Sequence, residues 1–155
     1  MARTARRERR FCATRTIRFL VPARAGHSQT SLGATVLVAY DGGAAATRAL
    51  TSFAASGLAE SRKVHVATVA DDGEKAWELA ERAVASLQAM GVQATVHSIV
   101  SVFPNAEALV KFGREIGASL VVMGAFARSR MAELFSGSAT RALAECSPMP
   151  LYLQH

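Results

Sequence analysis

Short, almost wholly apolar runs constrain this chain more than any other feature. Thr35-Val-Leu-Val-Ala-Tyr40, Val64-His-Val-Ala-Thr-Val69 and Ser119-Leu-Val-Val-Met123 are five or six residues long, and each is followed within two residues by Asp or Gly. Runs this short and this continuous suit parallel strands buried on both faces, because a half-solvated strand would alternate. Between them the spacing changes to a helical one. Ala45, Ala46, Ala49, Leu50, Phe53, Ala54 and Leu58 mark one helix. Ala76, Leu79, Ala80, Ala83, Val84, Leu87 and Met90 mark a second, opened by Asp71-Asp72-Gly73-Glu74 and stopped at Gly91. Trp77 flanks that stripe and reads as packing. Val92 to Val102 is a third strand with partial alternation. Pro104-Asn105 opens a helix carrying Ala106, Leu109, Val110 and Ile116, closed by Gly117. A last helix runs from about Ala139 to Glu145, and Pro148 to Leu153 gives a fifth strand. Pro150 places that strand at a sheet edge, since proline donates nothing to a ladder.

Five strands alternating with four helices imply an α/β fold built on a parallel sheet with right-handed crossovers. Ligands on such sheets bind beyond the carboxyl ends of the strands, where the strand order reverses. The segments after the first and fourth strands, Tyr40 to Gly43 and Gly124 to Ser138, are therefore the ones to read for function.

The net charge of +6 bears less on function than its size suggests. Residues 1–30 hold eight arginines against Glu8, a net of +7, whereas the remaining 125 residues hold ten basic and eleven acidic side chains, a net of −1. Residues 1–33 read as a basic extension, expected to be disordered, and 34–155 as the folded domain. The extension has one short apolar cluster, Ile17 to Val21, followed by Pro22. It lacks the apolar stretch of a secretory signal. It also lacks interleaved stacking aromatics and any recognised motif, so nucleic-acid binding is not expected of it. No apolar run approaches the ~18 residues of a membrane span. Cys12 and Cys146 make no disulfide framework and fit a reducing, cytoplasmic compartment.

The usual phosphate signatures G-x-G-x-x-G after the first strand and G-x-x-x-x-G-K-[ST] are missing, as is the G-x-S-x-G elbow. No Cys/His cluster has metal-ligand spacing, and His65 and His97 sit mid-strand as structural residues. The fourth-strand segment, Met123-Gly124 through Gly137-Ser138, carries the chemistry. Gly124 allows a tight turn and close backbone approach. Gly137-Ser138 stands at the start of the last helix, where unpaired N–H groups favour an anion or Ser138 simply caps the helix. Arg128 and Arg130 add positive charge.

From Thr35 onward the chain resembles the universal stress protein family of the UspA type. The residues that carry the likeness are Val36-Leu-Val-Ala-Tyr-Asp41-Gly42, Gly91, the Gly124…Gly137-Ser138 loop, which follows the pattern G-x2-G-x9-G-[ST] except at its second glycine, and Cys146-Ser-Pro-Met-Pro150-Leu. The resemblance implies a Rossmann-like five-stranded parallel sheet of order 3-2-1-4-5 with helices on both faces. It implies a stress-response module that binds an adenine nucleotide, ATP or AMP, with Mg2+ accompanying ATP, at the switch point between the first and fourth strands. Asp41 and the backbone of Ala39 and Tyr40 would meet the nucleoside and Val69 would border the adenine. Met123, Gly124, Ala127, Arg128, Gly137, Ser138 and Ala139 would lie along the phosphates. No catalytic base stands in an identifiable constellation, so binding rather than turnover is expected, with slow ATP hydrolysis the enzymatic alternative. A homodimer through the edge strand led by Pro150 is expected as well.

Two departures from the family pattern stand out. Ala127 replaces the second glycine, and Gly43 stands where serine is usual. If the second glycine needs a positive φ, alanine there costs roughly 1 kcal/mol, and its methyl intrudes where a phosphate would approach the backbone. The alternative function is a nucleotide-independent dimeric interaction module of the same family.

Overall fold

The computed structural model describes residues 18–21, 33–101, 105–124 and 149–154. In chain order the elements are β1 (Arg18–Val21), β2 (Thr35–Ala39), α1 (Ala44–Ala55), β3 (Lys63–Ala70), α2 (Gly73–Ala89), β4 (Ala94–Val100), α3 (Asn105–Glu115), β5 (Leu120–Gly124) and β6 (Leu151–Gln154). They build one six-stranded sheet of order β1-β6-β5-β2-β3-β4. The five strands read from the sequence, β2 to β6, run parallel in the expected order. The expected last helix, from about Ala139, lies outside the described residues.

The apolar runs form strands because both faces of the sheet are covered. Val36, Val38, Val64, Val66, Leu120 and Val122 pack with Leu50 and Phe53 of α1 and Val84 and Leu87 of α2. On the other face Leu37, Val69, Val121, Met123, Leu151 and Leu153 pack with Ala106 and Leu109 of α3. Successive strand residues point to opposite faces, so only a run without interruption serves both layers. α2 starts as its sequence predicts: the Asp72 carboxylate accepts from the Glu74 and Lys75 N–H groups at 2.9 and 3.3 Å. Those donors hold the Asp72 carboxyl below its ordinary pKa. Trp77, in contrast, does not pack; it is 46% exposed. Among the described residues no helix is long and apolar enough to cross a membrane.

Two expectations need correction at the far side of the sheet. β6 is not an edge strand. It lies between β5 and β1, and β1 pairs with it antiparallel, Arg18 opposite Gln154 and Val21 opposite Leu151. Pro150 precedes the strand and offers only its carbonyl, which accepts from the Val121 N–H at 2.9 Å. The missing donor therefore falls outside Leu151–Gln154, and the edge argument does not apply. Nor does the disorder expected of residues 1–33 hold for Arg18–Val21. Arg18–Val21, within the apolar cluster Ile17 to Val21, form this sixth strand.

At the opposite edge, His65 Nδ1 of β3 lies 2.9 Å from His97 Nε2 of β4, and the Phe112 ring of α3 covers His97 at 4.8 Å between centroids. Burial lowers both imidazole pKa values. Lys63 adds to the effect at His65, and His65 adds to it at His97. The hydrogen bond needs one ring nitrogen as acceptor, so full protonation breaks it. With the folded pKa values below the unfolded value of about 6.5, the unfolded chain binds more protons as the pH falls from that value to the folded ones. The contribution is thus complete above pH 6.5 and lost as the pH falls through the folded values. Urea unfolding is expected to show stability falling from pH 7.5 to 5.5, with a shallower fall in His65→Gln/His97→Gln. Equal slopes would show that the pair does not carry the dependence.

Candidate functional site

β2 pairs with β3 on one side and with β5 on the other, so the chain leaves the sheet in opposite directions at the carboxyl ends of β2 and β5. This is the switch point where an open α/β sheet forms its crevice. Its described part consists of Ala39 to Gly43, the carboxyl end of β3, the first turn of α1, and Met123-Gly124.

The turn after β2 is held from three sides. The Tyr40 N–H donates to the Ala67 carbonyl at 3.0 Å, extending the β3 ladder by one residue. Its carbonyl accepts from the Thr68 hydroxyl at 2.7 Å. Asp41 closes an Asx turn, its Oδ1 accepting from the Gly43 N–H at 2.8 Å. Gly42 sits between them at φ +78°, a left-handed conformation that L side chains rarely adopt. A Cβ there would also lie 2.7 Å from Leu79 Cδ2. Gly43 is the N-cap of α1 and supplies no side-chain cap. The Thr47 hydroxyl instead donates to the Gly43 carbonyl at 3.0 Å and lies 3.1 Å from the Tyr40 hydroxyl. No acid stands in the first turn of α1. The positive end of the helix dipole therefore faces the crevice beside the half-buried Asp41.

Gly124 is the other half of the switch point, and its role differs from the one its motif suggests. A Cβ on Gly124 would stand 2.5 Å from both Ala45 C and Ala46 N and 2.9 Å from Ala45 Cβ. The backbone that approaches this glycine is the protein's own α1. Val69 and Met123 are buried, 2% and 4% exposed, in the layer shared with α3. Val69 lies near the carboxyl end of β3 within that layer.

Of the residues singled out by sequence, the structure brings Ala39, Tyr40, Asp41, Val69, Met123 and Gly124 to one end of the sheet. Ala127, Arg128, Gly137, Ser138 and Ala139 lie outside the described residues. Two polar residues were not anticipated. Thr68 is fully buried and fixes the Tyr40 carbonyl. Gln154 is 3% exposed, pairs with Gly124 across the β5–β6 ladder, and its Oε1 has no hydrogen-bond partner among the described residues. A single polar residue near the carboxyl end of an apolar strand was the available signal for both. Among the described residues no group of three His, Cys, Asp or Glu could hold a metal ion.

An open parallel sheet with a backbone-lined crevice at its switch point defines a nucleotide-binding type of α/β domain. Residues 34–154 match the model of the universal stress protein family, and the chain belongs to that family. Solved structures agree. A universal stress protein in complex with cAMP is 25% identical, with a TM-score of 0.66 over 81% of this chain and 98% of the other. One from Archaeoglobus fulgidus is 23% identical, with a TM-score of 0.64 over 79% and 99%. Another from Archaeoglobus fulgidus, in complex with dAMP, is 20% identical, with a TM-score of 0.63 over 81% and 100%. No curated protein matches the chain.

The Gly124–α1 contact makes a direct prediction. Gly124→Ala forces a methyl against backbone, and overpacking of this kind costs about 1–3 kcal/mol. The variant is expected to shift the urea midpoint accordingly with no ligand present. An unchanged midpoint would mean that α1 does not press on β5 as described.

Proposed function

We propose that this chain is a stress-response module that binds an adenine nucleotide, AMP or ATP, in the crevice between the ends of β2 and β5. The observation that carries the reading is the Asp41 turn, where an oriented carboxylate and an α1 N-terminus with no acid in its first turn stand together at the switch point. A carboxylate suits the hydroxyls and amino group of a nucleoside, and main-chain N–H groups suit its anionic part. Family members described with cAMP and dAMP support the ligand class. In this reading Asp41 and the Ala39–Tyr40 backbone meet the nucleoside, with Val69 beneath the base. Gly124, Ala127, Arg128, Gly137, Ser138 and Ala139 follow the phosphates, with Mg2+ entering only with ATP. The role is binding rather than turnover, because Asp41 already serves as the acceptor that orders Gly43. The compartment is cytoplasmic, in line with two cysteines and no disulfide framework.

Native mass spectrometry of the purified chain, followed by calorimetric titration with AMP, ADP and ATP, tests the proposal. Binding is expected, weakened at least tenfold by Asp41→Ala, since each ~1.4 kcal/mol is a factor of ten. Ala127→Gly is expected to tighten binding by about the same factor, as relief of ~1 kcal/mol or more implies. If none of the three nucleotides binds to either the wild type or Ala127→Gly, the chain is the nucleotide-independent interaction module instead.

A further inference from the structure

We infer that the outer edge of β4, with the groove it forms against α3, docks an extended basic segment of a partner protein as a seventh strand of the sheet. β1 closes one side of the sheet, whereas β4 is the last strand on the other, and no described strand pairs with its far side. The Ser101 N–H donates to the Ala70 carbonyl of β3 at 3.1 Å. Main-chain groups in a parallel ladder turn alternately to the two sides. Thr95, His97 and Ile99 therefore turn theirs toward β3, and Ala94, Val96, Ser98 and Val100 turn theirs outward. Edge strands are commonly protected by proline, lysine or another charge. The seven residues Ala94–Val100 contain no Pro, Lys, Arg, Asp or Glu.

The side chains beside this edge differ between the two faces of the sheet. On the α3 face lies a groove of about 460 Å³, with half-buried Ile99, Ala108 and Phe112 within it and exposed Glu107, Lys111 and Glu115 along its rim. On the α2 face the end of β4 is open. Val100 is 63% exposed and meets α2 at Gly73, where a notional Cβ would lie 3.1 Å from Val100 Cγ2. Trp77 stands one turn further along that side of α2 and is half exposed.

These surroundings select the occupant. An added strand places alternate side chains on opposite faces, so one set enters the apolar groove and the other lies beside Trp77 and α2. Residues 71–82 hold five acids, Asp71, Asp72, Glu74, Glu78 and Glu81, against Lys75 and Arg82, a net of −3, and residues 105–115 hold two of each sign. A basic residue on the α2 side therefore meets opposite charge, and an arginine plane stacks on an exposed indole such as Trp77. An apolar residue on the α3 side covers Ile99 and Phe112. A strand that alternates basic and apolar residues satisfies both faces, its main-chain hydrogen bonds giving affinity and its side chains specificity. A second copy lacks this complementarity, because two-fold pairing sets α2 beside its own copy, acid against acid.

The test uses the full chain and a capped peptide that alternates arginine and valine over the length of β4, with its glutamate–valine counterpart as control. Trp77 is the only tryptophan, so its emission reports docking beside it. Saturable one-to-one binding of the basic peptide is expected, with a change in Trp77 emission, weakening as salt is added, and at least tenfold weaker binding of the acidic peptide. Ser98→Pro removes an outward N–H and leaves the β3 ladder intact. Ala108→Arg keeps the strand and fills the groove from α3 with bulk and like charge. Each variant is expected to lose at least tenfold in affinity. Absence of binding, equal affinity for the two peptides, or wild-type affinity in either variant would overturn the inference. So would a doubling of the mass of the free chain that Ser98→Pro abolishes, because the occupant of the edge would then be a second copy.

Discussion

The approach of the α1 backbone to Gly124 sets the geometry of everything at the carboxyl end of this sheet. With 2.5 Å between a notional Cβ and two backbone atoms of Ala45 and Ala46, the helix can lie over β5 only because the strand ends in a residue without a side chain. α1 follows β2 after a four-residue turn, so its position decides where Asp41, Gly42 and Gly43 must be. The turn then needs a residue at positive φ, which Gly42 provides, and Asp41 closes it by accepting the Gly43 N–H. Thr68 and Ala67 hold the same turn from the β3 side. The crevice is thus a consequence of close helix–strand packing, and its polar groups are ordered by the protein's own hydrogen bonds.

Much of this fold was legible in the sequence because its strands are buried on both faces. Uninterrupted runs such as Val36-Leu-Val38 and Leu120-Val-Val122 leave no other placement, and Asp72 announced the start of α2 through the residue type a helix N-cap prefers. What was not legible depends on partners far apart in sequence. Arg18–Val21 is too short to show a period, and its strand state exists only against Leu151–Gln154. His65 and His97 lie on separate strands, and only the β3–β4 register brings them to 2.9 Å. Trp77 had the spacing of a packing residue but lies to one side of the stripe, where α2 leaves it half exposed. In the site, Asp41 and Gly42 were readable as a turn signal directly after an apolar run, whereas Thr68 acts through a carbonyl 28 residues away and has no local pattern.

The partition of charge looks different once β1 is in place. The +7 segment and the near-neutral domain are not two separable pieces, because the segment contributes a strand to the sheet. The attachment is the ladder between Arg18–Val21 and β6. Arg18 stands opposite Gln154, level with Gly124 on the next strand. An isoelectric point computed over the whole chain describes neither the extension nor the domain.

The same close packing changes what the glycine motif says about function. A glycine at position 124 is required by the approach of Ala45 and Ala46 whether or not a ligand binds, so its presence reports the fold before it reports a phosphate. Gly42 is likewise required by its own φ and by Leu79. The residues in the site that the fold does not demand are the informative ones. Asp41 is one, since other residues can precede a left-handed glycine, yet here a carboxylate is set beside an α1 N-terminus that has no acid in its first turn. Ala127 is another, because it stands where the family pattern has glycine. The proposed nucleotide site therefore turns on two residues: Asp41, a carboxylate beside the α1 N-terminus, and Ala127, a departure from the family pattern.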